Sequence, residues 1–187
     1  MGIEPKVDVA LLHYPVVNRQ GEVICSSVTN LDIHDIARAA CTYGIGTYWI
    51  VTPHGEQQRL AQDIIDHWVE GLGRRVNPDR RTALARIAIA SDLAEVVTKM
   101  TGEKDEQPLV VATSARRTEL AFAHDALRVQ ISRGRQILLL LGTAWGLAPD
   151  VLSQADMVLE PLQGGGRYNH LSVRSAAAII MDRLLAS

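Results

Sequence analysis

Within residues 29–44 (TNLDIHDIARAACTYG) an imidazole, a carboxylate and a guanidinium fall inside five positions. Read as a helix, this stretch puts His34 and Arg38 one turn apart, with Asp35 three residues before Arg38. The three then share a polar stripe opposite Ile33, Ile36, Ala37 and Ala40. Such a set is suited to taking up a proton and orienting a polar acceptor, and it is equally the composition of a wet helix surface. Residues 137–147 (ILLLLGTAWGL) have a different character, an apolar strand that ends at Gly142 and turns at Gly146. Glycine at the carboxyl end of a buried strand lets a ligand approach the backbone, and ligands of parallel sheets bind beyond those ends. Residues 160–179 (EPLQGGGRYNHLSVRSAAAI) run from a strand through Gly164, Gly165 and Gly166 to a helix start, whose unpaired N–H groups suit an adenine or a carboxylate.

Other chemistries find no matching pattern. Neither glycine-bearing stretch is a GxGxxG fingerprint or a phosphate loop ending in Gly-Lys-Ser, which counts against dehydrogenase and NTPase readings. There is no G-x-S-x-G elbow. The six histidines form no HxxxH or HExxH, so no metal site is expected; His13 and His170 are the two near candidate loops. Cys25 and Cys41, sixteen positions apart, suggest reduced thiols rather than a disulfide framework.

The elements that must position these groups belong to an α/β domain. The chain has 187 residues, 47% hydrophobic and 21% charged, which fits one globular domain over residues 1–187. Short apolar runs alternate with helical periodicity, predicting a mainly parallel sheet with helices on both faces. Strands are expected at residues 7–14, 47–52, 84–90, 109–113, 136–142 and 157–160. Helices are expected after a cap at Thr29 or Asn30 with a stop at Gly44, over 56–70 burying Leu60, Ile64, Ile65 and Trp68, over 118–131, and from Ser172 to residue 185. In the last of these, Val173, Ala176, Ala177, Ile180 and Leu184 fall on the buried or partner-facing side, while the polar segment 102–108 is expected as a loop. The formal charge of -2 gives no general affinity for polyanions, so any nucleic-acid contact must be a local patch. Arg74, Arg75, Arg80, Arg81 and Arg86 crowd one stretch, and Arg116, Arg117, Arg128, Arg133 and Arg135 another. No leader or membrane-spanning run is seen, and a cytoplasmic protein is expected.

Together and in order, the three stretches resemble the signature motifs of the SPOUT (SpoU-TrmD) methyltransferase superfamily. In the first, an asparagine is followed six positions later by arginine and then by a glycine; Arg38 and Gly44 hold the latter two places, with Asp32 at the asparagine position. Residues 139–147 resemble the second motif, with Ala144 in place of its usual glutamate. Pro161, Leu162, Leu171, Val173 and the alanine-rich run to Ile179 fit the third, in which Ser172 replaces the asparagine and Asn169 lies slightly upstream. These departures set the chain apart from ordinary SpoU 2'-O-methyltransferases. Over its whole length, residues 11–15 (LLHYP) included, it looks more like a smaller group of bacterial RNA methyltransferases in this superfamily, sometimes fused to a tRNA guanine-N1 methyltransferase.

The resemblance implies a SPOUT-type α/β knot in which the last helix passes through a loop of the preceding connections, a topology otherwise rare enough to be excluded by default. It implies S-adenosylmethionine as cofactor, held bent by Thr113 and Ser114, by Leu141, Gly142, Thr143 and Gly146, and by Glu160, Pro161, Leu162, Tyr168, Asn169, Leu171, Ser172 and Val173. It implies an RNA substrate, tRNA or rRNA, with Arg116, Arg117 and Arg167 as contacts, and a homodimer joined through the first and last helices. Arg38 is then expected to orient the acceptor, with Asp35 and His34 as proton acceptors. A rival reading keeps the fold as a non-catalytic RNA- or nucleotide-binding module, for which Ala144 and Ser172 speak; a flavodoxin-like or Rossmann enzyme is a third.

Overall fold

The computed structural model describes residues 6–102, 106–117, 121–166 and 168–186. In chain order the elements are β1 (Val7–Leu12), β2 (Val16–Val17), β3 (Val23–Ile24), α1 (Asn30–Thr42), β4 (Tyr48–Val51), α2 (Gly55–Val69), α3 (Gly73–Val76), α4 (Pro78–Leu84) and β5 (Ile87–Ala90). They continue as α5 (Leu93–Thr101), β6 (Leu109–Thr113), β7 (Ala121–Phe122), α6 (His124–Ser132), β8 (Ile137–Gly142), α7 (Pro149–Gln154), β9 (Met157–Leu159) and α8 (Val173–Leu185).

Seven strands form one sheet in the order β5-β4-β1-β8-β6-β9-β7, with β1 and β8 at its centre, and every pairing within it is parallel. β2 and β3 make a separate antiparallel pair, so the mainly parallel α/β architecture is as expected. The continuous apolar runs are explained by burial on both faces. Val9, Leu11, Tyr48, Ile50, Leu139 and Leu141 point into a core shared with α1, α2, α4, α6 and α8. Ala10, Leu12, Trp49, Val51, Leu138 and Leu140 point the other way, against α5, α7 and the β2–β3 pair. Within β1 the polar Asp8 is used structurally. Its carboxylate accepts from Thr47 N and Trp49 Nε1, each at 2.9 Å, and burial nevertheless raises its pKa.

The helix caps follow the sequence. Thr29 Oγ1 accepts from Asp32 N at the start of α1, Gly44 takes φ 71° just past its end, and Ser172 Oγ accepts from Ser175 N at the start of α8. α8 buries Ala177, Ile180, Met181 and Leu184, and α2 spans close to its expected range.

Four expectations need correction. The strand expected at 84–90 is β5 alone, because Asn77 caps and Pro78 opens α4, which carries Leu84 into the core as its last residue. The helix expected at 118–131 is α6, starting at His124; Ala121 and Phe122 pair with β9 as an edge strand, and residues 118–120 lie outside the described ones. On α2, Ile65 is buried and Ile64 and Trp68 pack partly buried on the core as expected, but Leu60 is exposed and Ala61 takes the buried place one turn before Ile65. Finally, β1 stops at Leu12, so His13 and Tyr14 lie in the turn beyond it, where the Tyr14–Pro15 peptide is cis. The helices α3, α4, α5 and α7 and the strands β2, β3 and β7 are additions to the elements read from sequence.

Candidate functional site

The carboxyl ends of β1, β8, β6 and β9 lie side by side in the sheet, and the loops leaving them build the site. After β8 the chain doubles back over its own strand end. A Cβ on Gly142 would sit 2.5 Å from Leu147 N and 2.8 Å from Gly146 C, so only glycine permits that return. Ala144 (φ 51°) and Gly146 (φ 109°) both take left-handed conformations in the same turn. The turn is held from outside: Trp145 N donates to Val17 O and Val17 N to Gly146 O, both at 3.0 Å. Thr143 Oγ1 donates to Leu12 O at 3.0 Å and also meets Ser26 Oγ, which in turn lies 3.1 Å from His13 Nδ1. A chain of polar contacts therefore ties the ends of β1 and β8 together. His13 is fully buried, its Nε2 has no partner, and burial lowers its pKa to about 4 against the opposing pull of Asp32 and the Ser27 backbone.

Two further loops close on this turn. Asn169 Nδ2 donates to Ala115 O at 3.4 Å, joining the loop after β9 to the loop after β6. The ring of His170 stands 6.4 Å from Trp145 and 5.3 Å from Tyr168, joining it to the Gly142 turn. Thr113 Oγ1 donates to Leu140 O, and Ser114 Oγ accepts from Arg116 N. Leu162 and Val173 pack partly buried against the core, whereas Leu171 and Tyr168 are exposed. Pro161 is buried at the loop's start, and Glu160 faces His124 Nδ1 at 3.2 Å, a hydrogen bond that lowers its carboxyl pKa. The Gly142 turn, Thr113, Ser114 and the loop from Leu162 to Ser172, all read from sequence as one binding region, thus come together. Arg116 and Arg117 stand exposed beside it, and Arg167 lies outside the described residues.

These loops fit a cofactor held by main-chain groups. Among the described residues, 161–171 makes no hydrogen bond between main-chain groups, so its N–H and C=O groups remain available to a bound molecule. Leu162, partly buried, and Leu171, exposed, supply apolar surface in the same loop, whereas Leu141 is buried in the core.

The polar residues of α1 divide between two sides. Asp32 and Asp35 turn toward α8, where Arg174 Nη1 donates to Asp32 Oδ1 at 2.8 Å and Arg174 Nε lies 3.4 Å from Asp35 Oδ2. Thr29 Oγ1 donates to the other Asp32 oxygen at 2.6 Å, so this buried carboxylate is fully used. His34 and Arg38 turn toward α2 and α4 instead. His34 meets Trp68 edge-on at 5.7 Å, its Nδ1 is buried without a partner, and burial, followed by Arg80, lowers its pKa. Arg38 lines a cleft with Cys41, Asn77, Asp79 and Arg80. Arg174, Ser26 and Trp145 were not singled out from sequence. Arg174 left one signal, a charge two residues past the Ser172 cap and ahead of the apolar run from Ala176 to Met181.

Known proteins match this arrangement. A family model described as SAM-dependent RNA methyltransferase matches residues 6–186. A tRNA (guanine-N(1)-)-methyltransferase of Oleidesulfovibrio alaskensis is 47% identical over 94% of this chain and 41% of that protein. One of Nitratidesulfovibrio vulgaris is 46% identical, again over 94% and 41%. The chain thus spans about two fifths of the length of these two curated relatives (41%). A protein of Aquifex aeolicus (strain VF5) is 40% identical over 98% of this chain and 90% of its own. Among solved structures, the A. aeolicus TrmH/SpoU tRNA modifying enzyme has a TM-score of 0.58 at 14% identity, covering 97% of this chain and 74% of that one. The AdoMet-bound rRNA methyltransferase of Sinorhizobium meliloti has a TM-score of 0.56 at 17% identity, covering 98% and 57%. At these identities the structural likeness is one of fold.

Proposed function

The chain belongs to the SAM-dependent RNA methyltransferase family, and on that premise we propose that it methylates tRNA or rRNA as a homodimer in the cytoplasm. The observation that carries this reading is the meeting of three loops at the carboxyl ends of β6, β8 and β9, tied by Asn169 to Ala115 and by His170 to Trp145. The two tRNA (guanine-N(1)-)-methyltransferases are more than twice as long as the matched stretch, so the acceptor of this chain is any nucleotide of tRNA or rRNA rather than a guanine nitrogen alone. The dimer is supported by apolar surface on the first and last helices: Leu31 is 60% and Ile179 37% exposed, and Leu171, just before α8, is 49% exposed. A threaded C-terminus, with α8 passing through the preceding loop, belongs to the same reading. Among the described residues no helix is long and apolar enough to cross a membrane.

S-adenosylmethionine supplies an electrophilic methyl group when bound. The chain's own work is to align the acceptor with it and to take up the acceptor's proton. The loop 161–171 and the Gly142 turn hold the donor by main-chain groups. Asp35, half-exposed and steadied by Arg174, takes up the proton, with His34 beside it on α1 as second candidate. Arg38 orients the acceptor. Arg116, Arg117 and Arg167 hold RNA beside the donor loops.

Calorimetry with S-adenosylmethionine, followed by mass spectrometry of nucleosides in RNA from cells with and without the gene, tests the proposal. Donor binding and one methylated nucleoside missing without the gene are expected. No heat at millimolar donor would leave the non-catalytic RNA-binding module as the better reading.

A further inference from the structure

We propose that the cleft between α1 and α4, with the arginine-rich outer side of α3 and α4, is a second RNA contact surface that takes phosphodiester groups of the substrate next to the acceptor that Arg38 orients. It rests on the reading of the chain as an RNA-modifying enzyme. Three observations point there.

The first is charge without counter-charge. Between residues 70 and 86 stand five arginines and two acidic residues, Glu70 and Asp79, in a chain whose formal charge is -2. Among the described residues none of Arg38, Arg74, Arg75, Arg80 and Arg81 has a carboxylate oxygen within 4.0 Å. Only Arg135 and Arg174 have such a partner among the described residues, and Arg19, Arg59, Arg128, Arg133 and Arg183 have none, so what distinguishes this stretch is the crowding of five arginines within thirteen positions. Like charges gathered on short neighbouring elements repel one another, and a bound anion removes that cost.

The second is a formed recess. Arg38, Cys41, Thr42, Asn77, Asp79 and Arg80 line a cleft of about 350 Å³. The third is preorganisation at its wall. The Arg80 guanidinium lies over the Trp68 ring at 4.4 Å, while its Nε is buried with no hydrogen-bond partner. A guanidinium fixed on an aromatic face, whose terminal N–H groups have no hydrogen-bond partner among the described residues, is held ready for an acceptor such as a phosphate oxygen. Arg74, Arg75 and Arg81 are exposed around it, so the charge extends beyond the recess, as a polyanion requires and a single small anion does not.

The test is fluorescence anisotropy with 3'-labelled bulk bacterial tRNA across a KCl series. It compares the wild type, the variant Arg74→Gln/Arg75→Gln/Arg81→Gln, and a control, Lys99→Gln/Arg128→Gln/Arg133→Gln, that removes three charges elsewhere. The first variant should bind about tenfold more weakly, and its slope of log Kd against log salt should fall by roughly 2, at about 0.7 per lost phosphate contact. The control should keep the wild-type slope, and millimolar inorganic phosphate should not displace the tRNA. An unchanged slope in the first variant, an equal loss in the control, displacement by inorganic phosphate, or no tRNA binding by the wild type would each overturn the proposal. S-adenosylmethionine calorimetry on the same samples separates the two readings: tRNA binding with the expected slopes but no donor binding would support the surface and sink the methyl-transfer reading alone.

Discussion

Acid should destabilise this protein through one buried imidazole. His13 is 0% exposed, and burial holds its pKa at about 4 rather than 6.5. Because the folded-state value lies below the unfolded one, the unfolded chain binds a proton between these pH values that the folded protein refuses. The contribution of the neutral ring is therefore complete above about pH 6.5 and is lost as pH falls toward 4. One proton corresponds to a slope of about 1.4 kcal/mol per pH unit, so His13 should remove about 2.5 kcal/mol between roughly pH 6.5 and 4.5. Urea unfolding followed by circular dichroism, at fixed protein concentration and several pH values in this window, measures it in the wild type and in His13→Asn. The amide can still meet Ser26 but cannot titrate. The variant should be less stable at neutral pH by about 1–3 kcal/mol, yet its stability should fall with acid less steeply by most of one proton. His34 has a lowered pKa too, so the difference in slope, not the total fall, isolates His13. Parallel curves would refute the reasoning, since they would mean that His13 accepts a proton in the folded state as readily as in the unfolded one.

Three other outcomes are expected. Arg174→Leu leaves the buried Asp32 oxygen without its 2.8 Å partner; as Arg174 is 30% exposed, the loss should be about 1–2 kcal/mol rather than that of a fully buried pair. Thermal melts should show a drop of roughly 3–8 °C, partly recovered when Asp32→Asn is added, and an additive double mutant would disprove the coupling. Gly142→Ala forces Leu147 N away from a Cβ only 2.5 Å off, which should cost about 1–3 kcal/mol and weaken S-adenosylmethionine binding about tenfold in calorimetry; affinity within twofold of wild type would show that the turn does not shape the donor site. Arg38→Ala should abolish methyl transfer while leaving donor affinity within a few-fold, and undiminished turnover would remove Arg38 from the acceptor site.

What the sequence determined by itself was local. The run from Ile137 to Leu141 is apolar at every position because β8 is buried on both faces, and that leaves a mark any reader of the chain can find. Thr29 and Ser172 were legible as caps because a hydroxyl at a helix start bonds an N–H three residues on. The same signal was present at Asp92, whose carboxylate accepts from Glu95 N at 2.8 Å, and it marks α5. Boundaries failed where two elements share one apolar stretch: Leu84 closes α4 and Ile87 opens β5, and both are hydrophobic for the same core.

Only the tertiary structure decided which side of α1 each polar residue takes. Asp35 and His34 are adjacent in the chain yet face Arg174 and Trp68 respectively, a choice made by where α8 and α2 pack. The Asp32–Arg174 pair spans 142 positions and the Ser26–Thr143 contact 117. A cap is chosen among a few neighbours, so its residue type names it. A distant ion pair is chosen among every opposite charge in the chain, and only the packed core selects one.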